Sequence, residues 1–202
     1  MKVEISTEKP TVNKIIEAAI PLFAAKGVAG VSVKELADAA CVNIALISYY
    51  FGGKENLYAY ILESQLAILG DALDTISKEE VSPIMKIRRL ADTFVLIHKK
   101  NPHIDRLLYS EVINPTKYFD NIVKKAILQL HRFLRDCISD AVAVGEFRAD
   151  IEPDFAAISL IRILHLSCIG QHISKDLLPD RDNLEEHYVA QAVEIYLKGV
   201  AK

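Results

Sequence analysis

Long apolar runs are absent from this chain. No stretch approaches the ~20 residues that a membrane-spanning helix requires, and residues 1–10 are polar and charged, unlike a secretory leader. A cytoplasmic protein with no membrane association is expected. Cysteine is also sparse. Cys41, Cys137 and Cys168 lie far apart and match neither a zinc-ligand nor a disulfide spacing, so reduced structural thiols are expected. No alternating run closed by a hairpin dipeptide signals paired strands. A nucleophile beside a base, a metal-ligand cluster and a phosphate-cradling loop are all missing, which leaves an all-α enzyme without support and no cofactor expected. The formal net charge of -3 argues against a surface coated in positive potential. Arginine is unevenly placed: none occurs before Arg88, and residues 1–54 hold six lysines against five acids.

What the chain does have is apolar, helical periodicity. An apolar fraction of 51% over 202 residues is ample for a substantial core in one or two domains. The most informative stretch is Ser32 to Leu57, SVKELADAACVNIALISYYFGGKENL. Ser32 is an N-cap, and Glu35 three residues later completes a capping box, so a helix starts here. Its inner face is Leu36, Ala37 and Ala40, small enough for a second helix to cross closely. Cys41-Val42-Asn43 forms the turn. Asn43 caps the next helix, which runs to Phe51 and stops at Gly52-Gly53. With Ile47 pointing inward, Tyr50 and Phe51 fall on the buried side, while Ala45, Leu46, Ser48 and Tyr49 face out. A small-residue, weakly polar outer face suits close approach to a major groove, and the unit reads as a helix-turn-helix that binds DNA. Lys54, in the first turn of the following helix, adds its charge to the free N–H groups and is expected to hold a phosphate.

These residues resemble the TetR family of bacterial transcriptional regulators, through Leu36-Ala37, Ala40, Val42, Ile47, Tyr49-Tyr50-Phe51, Lys54-Glu55 and Leu57. The resemblance extends upstream through Ile15-Ile16, Ala19, Leu22-Phe23 and Gly27 to Val31-Ser32, roughly the first quarter of the chain. Two departures stand out. Cys41 occupies the place where the family usually has a turn glycine, and Pro21 interrupts the first helix, where it removes the hydrogen bond to the Glu17 carbonyl and is expected to bend the helix. Ile44 replaces a position that in relatives is often polar, so a thymine-methyl contact is expected there instead of a hydrogen bond.

Without arginine the head cannot make the common bidentate guanine contact. Readout is expected through Lys34, Asn43, Ser48 and Tyr49, with apolar packing from Ala45 or Ile44 and a contribution from DNA shape. The candidate DNA-contacting residues are Ser32, Lys34, Asn43, Ile44, Ala45, Ser48, Tyr49, Tyr50 and Lys54. For Ser32 and Asn43, capping comes first and phosphate contact is additional.

Beyond Leu57 helical periodicity continues, punctuated at Ser82-Pro83, Asn101-Pro102, Asn114-Pro115, Gly145, Pro153 and Pro179. A fourth helix is expected from Lys54 into the 70s, a fifth from Pro83 to Lys100 and a sixth from His103 to Ile113. A seventh is expected from Tyr118 to Val144, with an inner stripe of Ile122, Ala126, Leu130, Phe133, Cys137 and Ala141. The eighth, Asp154 to Ser174, is apolar almost all round, so one face packs on its own domain and the other calls for a partner. The ninth runs from Leu184 to Val200. The fold class is therefore all-α: a three-helix DNA-binding head with a helix-turn-helix (residues 1–53) and a larger helical ligand-binding and dimerisation domain (54–202), about nine helices together.

The last two helices are expected to form a four-helix bundle across a two-fold axis, as the TetR resemblance also implies. A homodimer reads a pseudo-palindromic double-stranded DNA operator with half-sites roughly 34–36 Å apart or a multiple of that. A small-molecule effector among helices four to seven would change head spacing and release a repressor from DNA. Candidate ligand-binding residues are Phe94, His98, Tyr109, Phe133, Arg162 and His165, each of which ordinary packing or surface placement would also explain. His165, Cys168 and His172 share one helical stripe, but a single helix rarely closes a tetrahedral site, so packing is expected and no metal. The alternative function is a DNA-binding protein of the same fold controlled by a protein partner or by no ligand.

Overall fold

The computed structural model describes residues 9–169 and 177–201. Nine α-helices lie among the described residues: α1 Lys9–Lys26, α2 Val33–Ala40, α3 Ile44–Phe51, α4 Lys54–Ser77, α5 Pro83–Lys100, α6 Ile104–Ile113, α7 Lys124–Ala143, α8 Pro153–Ile169 and α9 Leu184–Val200. Among those residues no strand forms, only one antiparallel bridge between Phe147 and Ala201. No helix among them is long and apolar enough to cross a membrane.

The chain divides into two compact units. The first takes the chain through Gln65 together with Arg106–Val123, and the second takes Leu66–Asp105 together with the chain from Lys124 onward. The expected boundary at residues 53 and 54 coincides with the start of α4, whereas the compact units share α4 and α6 between them.

In the first unit Ile15, Ala19 and Phe23 of α1, Leu36, Ala37 and Ala40 of α2, and Ile47 of α3 are buried together with Leu57, Tyr58 and Ile61 of α4. Burial of an aliphatic side chain of Ile47's size stabilises by about 1.5–3 kcal/mol, and that fixes which face of α3 remains outside. Pro21 lies inside α1 without ending it. Gly30 has a steric reason: a Cβ there would stand 2.4 Å from the Lys26 carbonyl oxygen.

In the second unit α5, α7, α8 and α9 pack on one another. Ser82 caps α5, accepting from the Met85 N–H at 3.3 Å ahead of Pro83, and the helix buries Ile87, Leu90, Ala91, Phe94, Val95, Ile97 and His98. The seventh helix differs from expectation at its start and in its stripe. A π-helical turn, Phe119–Val123, precedes α7, and the buried positions are Leu130, Leu134, Cys137, Ile138 and Ala141, with Phe133 only half-buried. The core seam follows Leu130 to Leu134 to Ile138 at i+4 steps, which rotates Phe133 to its flank. Burial pushes the Cys137 thiol up to about 11, in keeping with an inert structural thiol. Helix α8 buries Ala157, Leu160, Ile161 and Leu164, while α9 buries Val189, Val193 and Leu197. Tyr196 of α9 donates to the Ala156 carbonyl of α8 at 2.8 Å. The Cys168 side chain, His172 and the expected end of the eighth helix lie outside the described residues, and with them the proposed His165-Cys168-His172 stripe.

Candidate DNA interface

The helix-turn-helix is built by its caps. The Ser32 hydroxyl accepts from the Glu35 N–H at 3.1 Å, and the Asn43 side-chain oxygen accepts from the Ala45 N–H at 2.9 Å. Each such cap is worth about 1 kcal/mol. The Glu35 carboxylate is held below the usual carboxylate range first by the Lys26 ammonium's hydrogen bond and also by the Ser32 backbone N–H, the reciprocal half of the capping box. Between the helices Cys41 adopts a left-handed conformation, φ 53° and ψ 45°, and the Val42 N–H returns to the Ala37 carbonyl at 3.0 Å. Gly52, at φ 72°, then ends α3, its N–H donating to the Ser48 carbonyl.

With Ile47 fully buried, α3 presents Ile44, Ala45, Ser48 and Tyr49 outward; Tyr49 is 72% and Ile44 48% exposed. Leu46, expected outside, is half-buried, because a 100° step from Ile47 leaves it on the flank of the seam. Tyr50 is half-buried too, its ring edge-on to Tyr49 at 5.0 Å. Phe51 packs against Tyr60 of α4 at 5.8 Å, which pins the end of α3. Lys34 is exposed in the first turn of α2. Lys54 is half-buried and donates to the Val31 carbonyl at 2.7 Å, tying the start of α4 to the residue ahead of the Ser32 cap. Two of its three ammonium protons remain for another acceptor. The result is an exposed, convex helix face with one phenol, one hydroxyl and small or apolar neighbours, flanked by two lysines.

Residues 15–61 match the family model described as bacterial regulatory proteins, tetR family. The chain is similar to the probable HTH-type transcriptional regulator YttP of Bacillus subtilis, 35% identical over 104 residues, and that match spans about half of each chain. It is similar over more of its length to the HTH-type transcriptional repressor NicS of Pseudomonas putida, 26% identical over 170 residues, 83% of this chain and 80% of that one. The fold matches the structure of the ketosteroid transcriptional regulator KstR2 of Mycobacterium tuberculosis with a TM-score of 0.80 at 17% identity, over 95% of both chains. Over residues 15–61 the chain is of the TetR family's type. Its N-terminal helices are the family's helix-turn-helix DNA-binding head, and the all-α architecture with a helical C-terminal part is the family's as well.

Three of the six residues put forward for a ligand come together. Phe94, His98 and His165 converge in the second unit, with ring centroids 3.9 Å apart for Phe94 and His98 and 5.1 Å for Phe94 and His165. The group that organises them is Asp105, which the sequence reading passed over. His98 Nε2 donates to Asp105 Oδ1 at 2.6 Å and His98 Nδ1 to the Phe94 carbonyl at 2.6 Å, while His165 Nδ1 lies 3.9 Å from the same carboxylate. Burial disfavours both charges, but the ion pair prevails: His98 is raised above its ordinary value and Asp105, held by His165 and His98, is lowered. The other three candidates stand apart from this cluster's bonds: Tyr109 and Arg162 are exposed, and Phe133 is half-buried on α7.

A groove of about 420 Å³ opens instead between α5 and α9, floored by Ala91, Val95, Val189 and Val193 and rimmed by Arg88, Asp92, Glu186 and Glu194. None of the six candidates lines it. The i, i+4 pairs Ala91 and Val95 on α5 and Val189 and Val193 on α9 were the signal in the sequence. No group of three or more His, Cys, Asp or Glu among the described residues is arranged to hold a metal ion.

Proposed function

We propose that this chain is a cytoplasmic transcriptional repressor that binds a pseudo-palindromic DNA operator as a homodimer and leaves it when a small-molecule effector binds the helical C-terminal part. The observation that carries the reading is the exposed face of α3, where Tyr49, Ser48, Ala45 and Ile44 stand clear of a buried Ile47 between two capped ends. Repression rests on the relative named as a repressor, NicS. Dimerisation rests on the large apolar residues left outside on the last two helices, Phe155 at 68% and Ile195 at 70% exposed. The effector site is assigned to the second unit, at the Phe94, His98 and His165 cluster, where aromatic faces and a polar pair converge.

Selection of genomic fragments on the full chain tests the reading, followed by a metabolite screen for release. Tyr49→Ala and Lys54→Ala are expected to weaken binding to the selected fragments without changing the dimer. Unaltered affinity in both variants would sink the assignment.

A further inference from the structure

We infer that Tyr58 and Glu111 are positioning residues for DNA recognition, because together they make the C-terminal half of α6 a rigid part of the DNA-binding unit. The inference rests on the DNA-binding reading above. It concerns residues that touch no DNA.

Glu111, on α6, is 1% exposed. A carboxylate taken so far out of water is costly unless its oxygens find donors, and here both do. Oε1 accepts from the Tyr58 hydroxyl at 2.7 Å, and Oε2 accepts from the Thr116 N–H at 3.2 Å. The Thr116 hydroxyl lies 3.0 Å from each oxygen. The Thr116 hydroxyl in turn accepts from the Tyr118 N–H at 3.2 Å, so the carboxylate also orders the chain leading into the π-helical turn.

Tyr58 is the other half of the device. It sits in the second turn of α4, just after the Lys54 tether, and is 1% exposed. Its ring meets Phe23 of α1 edge-on at 5.1 Å and Tyr118 at 5.8 Å. Burial first, and the Glu111 carboxylate second, push its phenol far above the ordinary tyrosine value, so it stays protonated and remains a donor. One side chain therefore packs in the core beneath the helix-turn-helix and hydrogen-bonds the end of α6.

An apolar pair of the same size would fill this space at less electrostatic cost. What a phenol and a carboxylate add is direction. A slide of α4 along α6 by one residue, about 1.5 Å, would break the 2.7 Å bond and leave a buried charge underserved. The contact thus selects one register. At its other end α6 carries Asp105, bound to His98 and grouped with the second unit. One ten-residue helix so holds a buried, engaged carboxylate near each end.

The test uses full-length protein and the operator selected on the wild type, with versions whose half-site separation is lengthened or shortened by one base pair. Wild type is expected to lose about tenfold or more in affinity at the altered spacings. Tyr58→Phe and Glu111→Gln are expected to bind the native spacing several-fold more weakly and to discriminate among spacings by less than about threefold, with helix content and dimer mass unchanged. Uniform weakening that preserves the wild-type discrimination would show a merely structural role and overturn the inference. Should Glu111→Gln fail to fold, Tyr58→Phe, which removes one oxygen, and the apolar double variant Tyr58→Phe with Glu111→Leu carry the same test. Failure of the wild type to select any DNA would overturn the function proposed above, a different outcome from uniform weakening.

Discussion

His98 and Asp105 form a buried ion pair in which the imidazole gives both of its protons to fixed acceptors, Asp105 Oδ1 and the Phe94 carbonyl, each at 2.6 Å. A carbonyl can only accept, so Nδ1 carries a proton; the lowered carboxylate accepts a hydrogen bond from Nε2–H, and the ring is an imidazolium at pH values below its raised titration point.

Stability should follow that charge. The folded value of His98 lies above its ordinary 6.5, so its contribution is complete below pH 6.5 and is lost as pH rises through the folded value. Asp105 lies below its ordinary 3.8, so its contribution is present above pH 3.8 and is lost as pH falls through the folded value. The pair therefore contributes most between pH 3.8 and 6.5. His98→Asn is expected to cost about 3 kcal/mol there, and less at alkaline pH. Urea unfolding of both proteins across pH checks it; a pH-independent difference would refute the ion pair.

The sequence placed Lys34 among the base-reading residues, but its exposed position in the first turn of α2, off the recognition helix α3, favours a phosphate contact instead. Lys34→Ala should reduce the slope of log affinity against log salt by about 0.9 and weaken all sequences alike. Titrations at several salt concentrations on selected and scrambled DNA measure both quantities. Loss of selectivity with an unchanged slope would assign Lys34 to base readout.

Cys41 holds a left-handed backbone that favours glycine, φ 53°. Cys41→Gly is expected to stabilise by about 0.5–1 kcal/mol, the relief of strain exceeding the added freedom of the unfolded chain. Cys41→Ala should be neutral, since it keeps the strain and removes only the thiol. Thermal melts of the two variants distinguish backbone from sulfur; equal stability of all three proteins would contradict the strain argument.

Phe155 and Ile195 project from α8 and α9 with most of their surface uncovered. Phe155→Glu and Ile195→Glu are each expected to shift the protein toward monomer and to weaken operator binding by about tenfold or more, because two heads no longer engage together. Sedimentation gives the mass. A dimer that persists in both variants would place the interface elsewhere.

Local physics made the head legible. Ser32, Asn43 and Gly52 are caps and a terminator whose effects reach only a few residues, and all three behave as their types predict. Pro83 likewise starts α5 where expected, and α9 spans Leu184–Val200. Periodicity was less reliable where two registers compete. On α7 a stripe through Phe133 and one through Leu134 share Leu130, Cys137 and Ala141, and only the neighbouring helices decide between them. The groups hardest to foresee were acids. Nothing local marks Asp105 or Glu111 as buried, since a charged residue on a short helix reads as solvated until its partners, from five to more than fifty residues away, are in place.

The near balance of charge in the head also affects how the protein searches a chromosome. Lys26 is paired to Glu35, and residues 1–54 hold no arginine and six lysines against five acids, so little net positive charge is there to displace the counterions that sheathe a duplex. Loose attachment to arbitrary sequence should be short-lived. The bulk of the genome would then act as a shallow reservoir, and a modest number of molecules could keep an operator occupied because few are held up elsewhere.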